Sequence, residues 1–531
     1  MKFETPIAGL LLLALSACGG GGGSAPAPAP APPPAPAPFA LPTSGKVSAP
    51  SPIATNCTGG TTGTVYTNSE VEPWLAAHPG NPNVLAAGWQ QDRWNNGGAR
   101  ATMSAVSTDG GVTWRRTLHP FSRCGGAVAS SAGDYERASD PWVDIGPDGA
   151  IHAMALAFSG TSFQAGSVSA MLATRSLDNG VTWEPVKTLA QDGGTLFHDK
   201  NALTADRTDG RYVYAVWDRL DSSGFGPTLL ARSSDRGANW EPTRIIYSPS
   251  VAGGISQTIG NRIVVLNDGR LVNVFTQIDT VGSLSTNWVG VIRSNDKGLT
   301  WSAPVRVAEH RTVGVRDPQT NQAIRSGGII PTVAVGGDNS LWLAWQDARF
   351  HPTGNTDGIV LSRSVDGGQT WSAPQAVNRR LDAGAFTPNL AARADGSVAL
   401  LYFDLRDDTP DATTLPTSAW LATSRDGSTW QESRVWGPFD LAKAPDARGL
   451  FLGDYMGLVN RGTQWTSLLS LSQNDLSNRT DVFLFDSGPT ASALAYRVQR
   501  QPGHSPDDPA LRVASHAATQ AWLEQRRNRL R

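Results

Sequence analysis

The residues best suited to do chemistry are one tyrosine and three carboxylates that precede apolar strands. Tyr455 follows Asp454 in the segment Gly453-Asp-Tyr-Met-Gly457, while Glu72 and Asp140 open two similar segments, Glu-Pro-Trp and Asp-Pro-Trp. A tyrosine becomes a nucleophile when a neighbouring base takes its proton, and carboxylates serve as general acids and bases. We therefore predict Tyr455, Asp454, Glu72 and Asp140 as catalytic residues, with core packing as the alternative role of Tyr455.

Two further positions carry the same kinds of groups. Tyr135 stands beside Glu136, which places a second tyrosine next to a base. His198 opens another strand in the segment His198-Asp-Lys200. Tyr135 is either a second nucleophile candidate or a packing residue, and His198 is either a substrate-binding residue or a hydrogen-bonded loop residue.

Aspartate–arginine pairs follow strands in several repeats of the chain. An arginine guanidinium binds a carboxylate through two parallel hydrogen bonds. A ring of such arginines around a channel mouth predicts a site for an anionic or polyhydroxylated ligand, whereas the alternative is that each pair ties neighbouring repeats together. The pairs are Asp92-Arg93, Asp218-Arg219, Asp347-Ala-Arg349 and Asp404-Leu-Arg406.

Composition and spacing bear on cofactors and partners. There is no zinc-site spacing and no phosphate-binding loop, so we predict no metal and no organic cofactor. The alternative is Ca²⁺, which takes oxygen ligands of the kind that Asp404, Asp407 and Asp408 offer together. Charged residues make up 17% of the chain and the net charge is −2, which argues against a nucleic-acid partner.

A repeated hairpin must position these residues. The segment Ser107-Thr-Asp-Gly-Gly-Val-Thr-Trp114 returns roughly every 60 residues. In each copy the aspartate can accept hydrogen bonds from N–H groups of the turn, the glycine two residues later can take positive φ, and the tryptophan buries its ring. The other copies are Ser176–Trp183, Ser233–Trp240, Ser294–Trp301, Ser364–Trp371 and a shorter one, Ser424–Trp430.

A pair of apolar strands precedes each of these boxes, and one more pair follows Asp454 without a box. Turns such as Asp148-Gly149 join the two strands, which is typical of hairpins. We predict an all-β chain of seven four-stranded antiparallel blades, a β-propeller, in which Gly63–Thr67 supplies the fourth strand of the last blade and closes the ring. The face opposite the boxes then carries the candidate site.

The box spacing resembles the Asp-box, or BNR, repeat of sialidase-like β-propellers, over roughly residues 64–490. Sialidases have six blades, which is the alternative blade number here. The resemblance implies three arginines that hold a substrate carboxylate, a tyrosine nucleophile activated by a glutamate, and an aspartate as acid–base. This chain has Glu72-Pro73-Trp74 where the family has its Arg-Ile-Pro signature, a departure that affects the arginine triad.

The N-terminus carries the features of an exported lipoprotein. Residues 1–17 contain an apolar run from Leu10 to Leu15, and Leu15-Ser-Ala-Cys18 resembles a bacterial lipobox. The resemblance implies lipidation of Cys18 and, because Gly19 follows, anchoring in the outer membrane of a Gram-negative cell envelope; an ordinary secretory signal is the alternative. Residues 18–55 are rich in Gly, Ala and Pro and predict a semi-rigid linker, ahead of a propeller domain at 56–490 and a tail at 491–531.

Two features flank the predicted propeller. Cys57 and Cys124 are the remaining cysteines, and in an exported chain they favour one disulfide, with two free thiols as the alternative. In the tail, Leu511 to Leu523 has the apolar content of a short helix, which we interpret as solvated or as docked on an anionic envelope surface. Its basic end comprises Arg526, Arg527, Arg529 and Arg531.

Three functions fit these residues. The leading hypothesis is a sialidase-like exo-glycosidase of the cell envelope that acts on an acidic or complex glycan. The second is a non-catalytic propeller that binds a glycan or an envelope protein, which the missing Arg-Ile-Pro signature and the seventh blade favour. The third is a polysaccharide lyase with tyrosine or histidine as base. We expect a monomer, attached to the membrane through its lipid, whose partner is a glycan or glycoconjugate.

Overall fold

The computed structural model describes residues 39, 42, 45–487, 494–497, 502–503 and 508–527. The predicted signal peptide, Cys18 and the Ala-Pro part of the linker lie outside the described residues, as do Arg529 and Arg531. Among the helices of the described ranges, none is both long and apolar enough to cross a membrane.

The strands pair antiparallel in groups, called units A to G, that follow the sequence repeats. They confirm the all-β fold class, with one terminal helix, α1 (Pro509–Arg527), and two short 3₁₀ turns, Arg123–Gly125 and Leu441–Lys443. Unit A is β1 (Val65–His78), β2 (Asn81–Trp94), β3 (Ala99–Ser107) and β4 (Arg115–Leu118); unit B is β5 (Arg137–Ile145), β6 (Ile151–Ser159), β7 (Val168–Ser176) and β8 (Lys187–Gly193); unit C is β9 (Leu196–Ala205), β10 (Val213–Asp221), β11 (Thr228–Ser233) and β12 (Arg244–Tyr247); unit D is β13 (Ile255–Val265), β14 (Leu271–Val281), β15 (Leu284–Ser294) and β16 (Val305–Glu309).

The remaining strands continue this pattern and add short pieces between units. A small sheet of β17, β18 and β27 joins the chain before unit E to the chain before unit G, and β31 pairs with the outer strand of unit F. The strands are β17 (Val315–Arg316) and β18 (Ala323–Arg325); unit E, β19 (Thr332–Val335), β20 (Leu341–Asp347), β21 (Gly358–Ser364) and β22 (Gln375–Ala376); unit F, β23 (Ala385–Ala392), β24 (Val398–Asp404), β25 (Pro416–Ser424) and β26 (Thr429–Asp440); β27 (Leu450–Phe451); unit G, β28 (Gly457–Arg461), β29 (Gln464–Ser472) and β30 (Thr480–Ser487); and β31 (Leu494–Arg497).

Each box closes a turn through the same hydrogen bonds. In the first copy, Ser107 Oγ donates to Asp109 Oδ1 (2.8 Å), and the N–H of Gly111 donates to Ser107 Oγ (2.8 Å). Thr113 donates its N–H and its hydroxyl to Asp109, which lowers the pKa of Asp109 to about 2. Gly111 has φ 92°, a conformation that disfavours any residue with a Cβ. The box turn also bonds the start of β2, since Gly110 N donates to Asn83 O (2.9 Å).

The N-terminal segment completes unit G and corrects two predictions. Val47 N donates to Val482 O (2.8 Å), and Lys46 forms an antiparallel bridge with Phe483 of β30. Thr64–Thr67, in contrast, leads into β1 and pairs with the end of β2. The fourth strand of this unit is therefore Lys46–Ser48 and not Gly63–Thr67, and the packed part of the chain begins before residue 56. Val47 provides the reason, because its side chain is fully buried against unit G.

The two ends of the domain are fastened in different ways. Cys57 and Cys124 form a disulfide, with a Cα–Cα distance of 5.8 Å. At the other end, α1 is neither solvated nor free to dock elsewhere, because Leu511, Ser515, Thr519 and Leu523 form a buried stripe at helical spacing. The stripe is half polar, so the apolar content of the segment does not indicate which face is buried. Its Thr519 accepts a hydrogen bond from Asn287 Nδ2 of β15 (2.6 Å).

Candidate active site

A bulge in the first strand of several units re-aims one side chain. Glu72, Asp140, Lys200 and Thr387 have φ between 47° and 54° and stand where the first strand slips in register against the second. Gly260 of unit D has φ 67° at the same slip. A bulge bends a strand and redirects its side chain. Positive φ at a non-glycine residue costs about 1–3 kcal/mol, and such strain concentrates at functional sites.

Three of the predicted carboxylates meet at one ammonium group. Lys200 Nζ lies 3.2 Å from Glu72 Oε1, 3.2 Å from Asp140 Oδ1 and 2.6 Å from Asp454 Oδ2. All four side chains are at most 3% exposed. We call these four residues the lysine cluster. Since they come from units A, B and C and from the chain before unit G, the whole fold is needed to assemble it.

Gly453 allows the chain before unit G to reach Glu72. A Cβ at residue 453 would lie 2.8 Å from Glu72 Cα, closer than real Cβ contacts come, and the φ of Gly453 is 153°. The backbones are joined here, because Glu72 N donates to Leu452 O (2.9 Å). Asp454 N in turn donates to Glu72 Oε1 (3.4 Å). A side chain at residue 453 would therefore move Asp454 away from Lys200.

Burial dominates the electrostatics of the lysine cluster. It raises the pKa of Glu72 to about 7, against the opposing effect of the Lys200 ammonium, and the charges of Asp140 and Asp454 add to the increase. A carboxyl group with a pKa near neutrality can give and take a proton at physiological pH. The cluster thus combines a carboxyl group suited to general acid catalysis with two other carboxylates that contact the same lysine.

Two arginines lie beside the cluster. Arg325 Nη2 is 3.2 Å from Asp454 Oδ2, and Arg93 donates from Nη1 to Gln90 Oε1 (2.6 Å). Both guanidinium groups lie over the ring of Phe451, at 4.4 Å and 4.8 Å from its centroid. Burial lowers the pKa of Arg93 to about 9, and the charge of Arg325 lowers it further. With Lys200, these arginines balance the three carboxylates.

Tyr455 lies next to the lysine cluster but is not hydrogen-bonded to a carboxylate. Its hydroxyl donates to Pro141 O (3.0 Å), and its ring packs edge-on against Trp142 and Trp74. Burial, followed by the charges of Glu72 and Asp140, raises the pKa of Tyr455 well above its ordinary value. In this conformation the Tyr455 hydroxyl is bound to a backbone carbonyl. It does not make the contact with a carboxylate that an activated nucleophile needs.

Of the four arginines predicted to bind substrate, only Arg93 lies at the lysine cluster. Arg349 pairs with Asp347 of its own unit (2.6 Å), and Arg406 pairs with Asp404 and Glu432 of its own unit (both 2.5 Å). Arg219 bonds Asp192 of the adjacent unit B (3.0 Å). These three guanidinium groups are each paired with a nearer carboxylate and lie outside the lysine cluster, and their role in substrate binding stays a prediction.

The other predicted polar residues are also held by neighbours. His198 Nδ1 accepts from Trp217 Nε1 (2.9 Å), and its Nε2 is 3.2 Å from Asp192 Oδ2, so it is a hydrogen-bonded structural residue. Tyr135 donates to Gln191 Oε1 (3.2 Å). Glu136 Oε2 accepts from Gly160 N (3.1 Å) and does not reach the hydroxyl of Tyr135. Neither His198 nor Tyr135 joins the lysine cluster.

The Ca²⁺ alternative does not fit the structure. Asp404 is paired with Arg406, and Asp407 accepts from Arg434 (2.9 Å) and from Ser418 (2.5 Å). These contacts pair Asp404 and Asp407 with two different cations, while Asp408 accepts a hydrogen bond from Gln319. Within the described ranges, no group of three or more His, Cys, Asp or Glu side chains is arranged to hold a metal ion.

Helix α1 covers the side of the molecule on which the first strands begin. Arg526, 4% exposed, inserts between Asp199 (2.9 Å) and Asp218 and donates to Gln257 Oε1 (2.6 Å). Leu523 packs in a cluster with Ile259 and Ile329. Asp199 is the residue before Lys200, so the basic end of α1 is anchored directly beside the lysine cluster.

Two cavities meet at a layer formed by Trp74, Trp142 and Arg262, which line both. The cavity on the cluster side has a volume of about 40 Å³ and is lined by Lys200 and Tyr455 among others. That volume accommodates a few water molecules and not a sugar ring. The cavity on the side of the turns between first and second strands has a volume of about 490 Å³.

Lys200 and Arg325 are the functional residues that sequence reasoning left without a role. Lys200 occupies the same place in its repeat as Glu72 and Asp140, so an alignment of the repeats places it at the site. Arg325 has no equivalent in the other repeats, because it lies in the short strand β18, which pairs with β27. Its position depends on that pairing, and the sequence carries no signal for it.

Comparisons with known proteins agree with the repeat pattern. The family of BNR repeat-like domains matches residues 213–496. A curated relative, the xyloglucanase Xgh74A of Acetivibrio thermocellus, is 24% identical over 319 residues, which is 56% of this chain and 31% of that protein. The chain thus spans about a third of the length of this relative.

Solved structures resemble the fold at low sequence identity. A polysaccharide lyase described as a PL25 ulvan lyase is 10% identical with a TM-score of 0.50, covering 85% of this chain and 98% of that one. The Hadza microbial sialidase Hz136 is 18% identical with a TM-score of 0.41, covering 75% of this chain and 76% of that one.

Proposed function

Because the chain belongs to the BNR repeat-like domain family, we propose that it is a glycan-active enzyme, a glycoside hydrolase with the lysine cluster as its reaction centre. The observation that carries the proposal is the convergence of Glu72, Asp140 and Asp454 on Lys200 Nζ. Bulges with positive φ aim two of these carboxylates inward, an arrangement that burial penalises and that packing alone does not require. The xyloglucanase relative supports a glycan as substrate.

Glycoside hydrolysis needs one carboxyl group as acid and a second as nucleophile or base. Glu72, whose pKa is raised to about 7, suits the acid role because it retains its proton near neutral pH. Asp454 contacts two cations, Lys200 and Arg325, and suits the role of the ionised partner. Asp140 then holds Lys200 in place. A sugar ring reaches these groups only after the cluster side opens, since its cavity is about 40 Å³.

For the finer activity we propose an exo-glycosidase that acts on acidic or complex glycans. Lys200, Arg93 and Arg325 are the cations at the cluster that would meet a substrate carboxylate. Arg219, Arg349 and Arg406 lie outside it, each paired with another carboxylate. A sialidase-type reaction with Tyr455 as nucleophile requires the hydroxyl to leave Pro141 O for Glu72 or Asp454. Tyr455→Phe therefore separates that route from one that uses carboxylates alone.

We also propose that units A to G are the seven blades of a closed propeller, with six blades as the alternative. The pairing of β1 with β30 and of Lys46 with Phe483 supports this arrangement. The lipid anchor on Cys18, the location in the outer membrane of the cell envelope and the monomeric state belong to the same proposal and rest on the sequence.

A non-catalytic glycan-binding propeller is the second candidate. It is favoured by the pairing of Arg349 and Arg406 within their own units and by the bond of Tyr455 to a carbonyl. In this case the lysine cluster is a structural ion network, and a glycan binds without turnover.

A panel assay tests the proposal. The full chain is incubated with xyloglucan, fluorogenic sialosides and acidic polysaccharides, beside Asp454→Asn and Tyr455→Phe. We expect hydrolysis of at least one glycan, its loss in Asp454→Asn and its retention in Tyr455→Phe. Products that absorb in the ultraviolet would identify a lyase instead. Binding without turnover across the panel would establish the second candidate.

A further inference from the structure

The large cavity on the turn side has the size of a ligand site and belongs to none of the chemistry above. We call it the turn-side cavity; its floor is Trp74, Trp142 and Arg262, and His78–Gly80 lies at its rim. Its volume of about 490 Å³ falls within the usual range of small-molecule pockets, about 300–1,000 Å³. Its walls include apolar residues of the first strands, such as Val264, Val333 and Leu458.

The floor of the turn-side cavity is a stack of aromatic and guanidinium groups. The rings of Trp74 and Trp142 stack at 3.8 Å between centroids, and the guanidinium of Arg262 lies 4.6 Å from the centroid of Trp74. The stack fixes the orientation of Arg262 and leaves its N–H groups few partners. Arg262 Nη1 donates to Thr332 Oγ1 (3.3 Å). Arg262 is half-buried, and burial lowers its pKa to about 10.

The cavity carries more positive than negative charge. Arg207, at its wall, is exposed, and within the described ranges neither Arg207 nor Arg262 makes an ion pair. The carboxylate in the wall is Asp144, whose oxygens accept from the N–H groups of Ile145 and Ala205 (both 2.9 Å). Asp144 attracts Arg207 and Arg262 through their charges but forms no ion pair with either, so the two guanidinium groups keep donors for a further anion.

We propose that the turn-side cavity binds an organic monoanion of monosaccharide size, a sugar carboxylate. Arg461, which also lines the cavity, is paired with Asp486 and adds no net charge. Arg207 and Arg262 against Asp144 leave a net charge of plus one, which matches a monoanion and not a phosphate dianion. An arginine fork presents parallel donors that fit a carboxylate. The apolar walls suit the carbon skeleton of a ring, and the volume admits one. This site lies across the Trp74–Trp142 layer from the lysine cluster and is independent of the proposed reaction.

Calorimetric titration with sodium glucuronate at low salt tests the proposal on the full chain. We expect saturable binding, a loss of at least about tenfold in affinity for Arg262→Met and a several-fold loss for Arg207→Met. Arg207 is exposed, so its replacement leaves the fold intact. Arg211→Gln is the matched control, because Arg211 is an exposed arginine of the same unit that is paired with Asp209. It should bind as the wild type does.

Three results would overturn the assignment. Glucuronate binding that is equal in wild type, Arg207→Met and Arg262→Met would place the anion elsewhere. Absence of binding in the wild type would show that the cavity holds only water. Inorganic phosphate that binds more tightly than glucuronate, or glucose that binds equally well, would contradict the charge and carboxylate argument.

Discussion

The same first strands build two unlike regions on the two sides of the Trp74–Trp142–Arg262 layer. On one side, the bulges turn Glu72, Asp140 and Lys200 inward, and every charge is buried and matched. On the other side, the regular part of the same strands leaves a cavity of about 490 Å³ in which Arg207 and Arg262 form no ion pair with any described residue. A bulge of one residue thus separates two parts of each strand. One part directs a charged side chain into the lysine cluster, and the other part lines the cavity.

The two regions differ in what they lack for binding or catalysis. The lysine cluster has its groups in place and no room, since its cavity is about 40 Å³. Helix α1 anchors Arg526 beside it, on Asp199. The turn-side cavity has room and exposed donors but no paired carboxylates for catalysis. We therefore expect substitutions in the cluster to change turnover and stability together, and substitutions in the cavity to change only ligand affinity.

Replacement of Lys200 has the largest expected effect. Lys200→Met leaves three buried carboxylates without their shared cation, which for a broken buried pair costs about 3–5 kcal/mol. We expect urea unfolding to show a loss of this size and turnover to be abolished. Lys187→Met, at an exposed position of unit B, is the control. Equal unfolding midpoints for the two variants would mean that the cluster contributes no stability.

The pH dependence of the free energy of unfolding tests the raised pKa of Glu72. Its pKa is about 7 when folded and 4.5 in its ordinary state, so the folded protein binds the extra proton between these values. Protonated Glu72 therefore makes its full contribution to the free energy of unfolding below pH 4.5. That contribution, up to about 3 kcal/mol, is lost as the pH rises through 7. Unfolding titrations of wild type and Glu72→Gln across this window should converge at low pH and separate with rising pH, the variant being the more stable. Parallel curves would refute the raised pKa.

The arginines distinguish the cluster from its surroundings. Arg93→Met removes a buried cation at the cluster and should lower kcat/KM by about tenfold to a hundredfold, the loss expected for one charge-assisted hydrogen bond. Arg349→Met removes an arginine that is paired with Asp347, and we expect it to change kcat/KM by no more than about twofold. Steady-state kinetics with the responsive glycan check both. A larger loss of kcat/KM in Arg349→Met would mean that Arg349 binds substrate, as the arginine-ring prediction states.

The smallest expected change concerns α1. Arg526→Met removes the ion pairs with Asp199 and Asp218, so the end of the helix should open more often. We expect faster hydrogen exchange at residues 198–201 and a several-fold rise in turnover, because opening admits substrate. Arg527→Met, which is exposed on the same turn, should change neither. Unchanged exchange in Arg526→Met would show that α1 does not close the cluster.

Much of the fold follows from local sequence patterns. The boxes recur roughly every 60 residues with apolar strands and turns between them, and the structure has strands and box turns at these places. The role of Lys46–Ser48 was not predictable, because a short strand that follows a Pro-rich segment has no periodicity. The buried stripe of α1 was missed for a related reason, since Ser515 and Thr519 are polar.

The candidate site was predictable in part. Glu72, Asp140 and Asp454 were identified because they begin equivalent strands, and the structure brings them together. Arg349 and Arg406 lie outside the lysine cluster, and an aspartate two residues earlier is within reach of each guanidinium. Lys200 went without a role because lysines are seldom buried, and only the three converging carboxylates make its burial favourable.

Turnover of the responsive glycan by Glu72→Gln and Glu70→Gln tests the central claim most directly. Both variants remove a fully buried carboxylate from β1, but the charged neighbours of Glu70 are Asp481, Asp92 and Lys46, outside the lysine cluster. If the cluster is the reaction centre, Glu72→Gln loses turnover by a factor of about a hundred or more while Glu70→Gln retains it. Full turnover in Glu72→Gln would contradict the account.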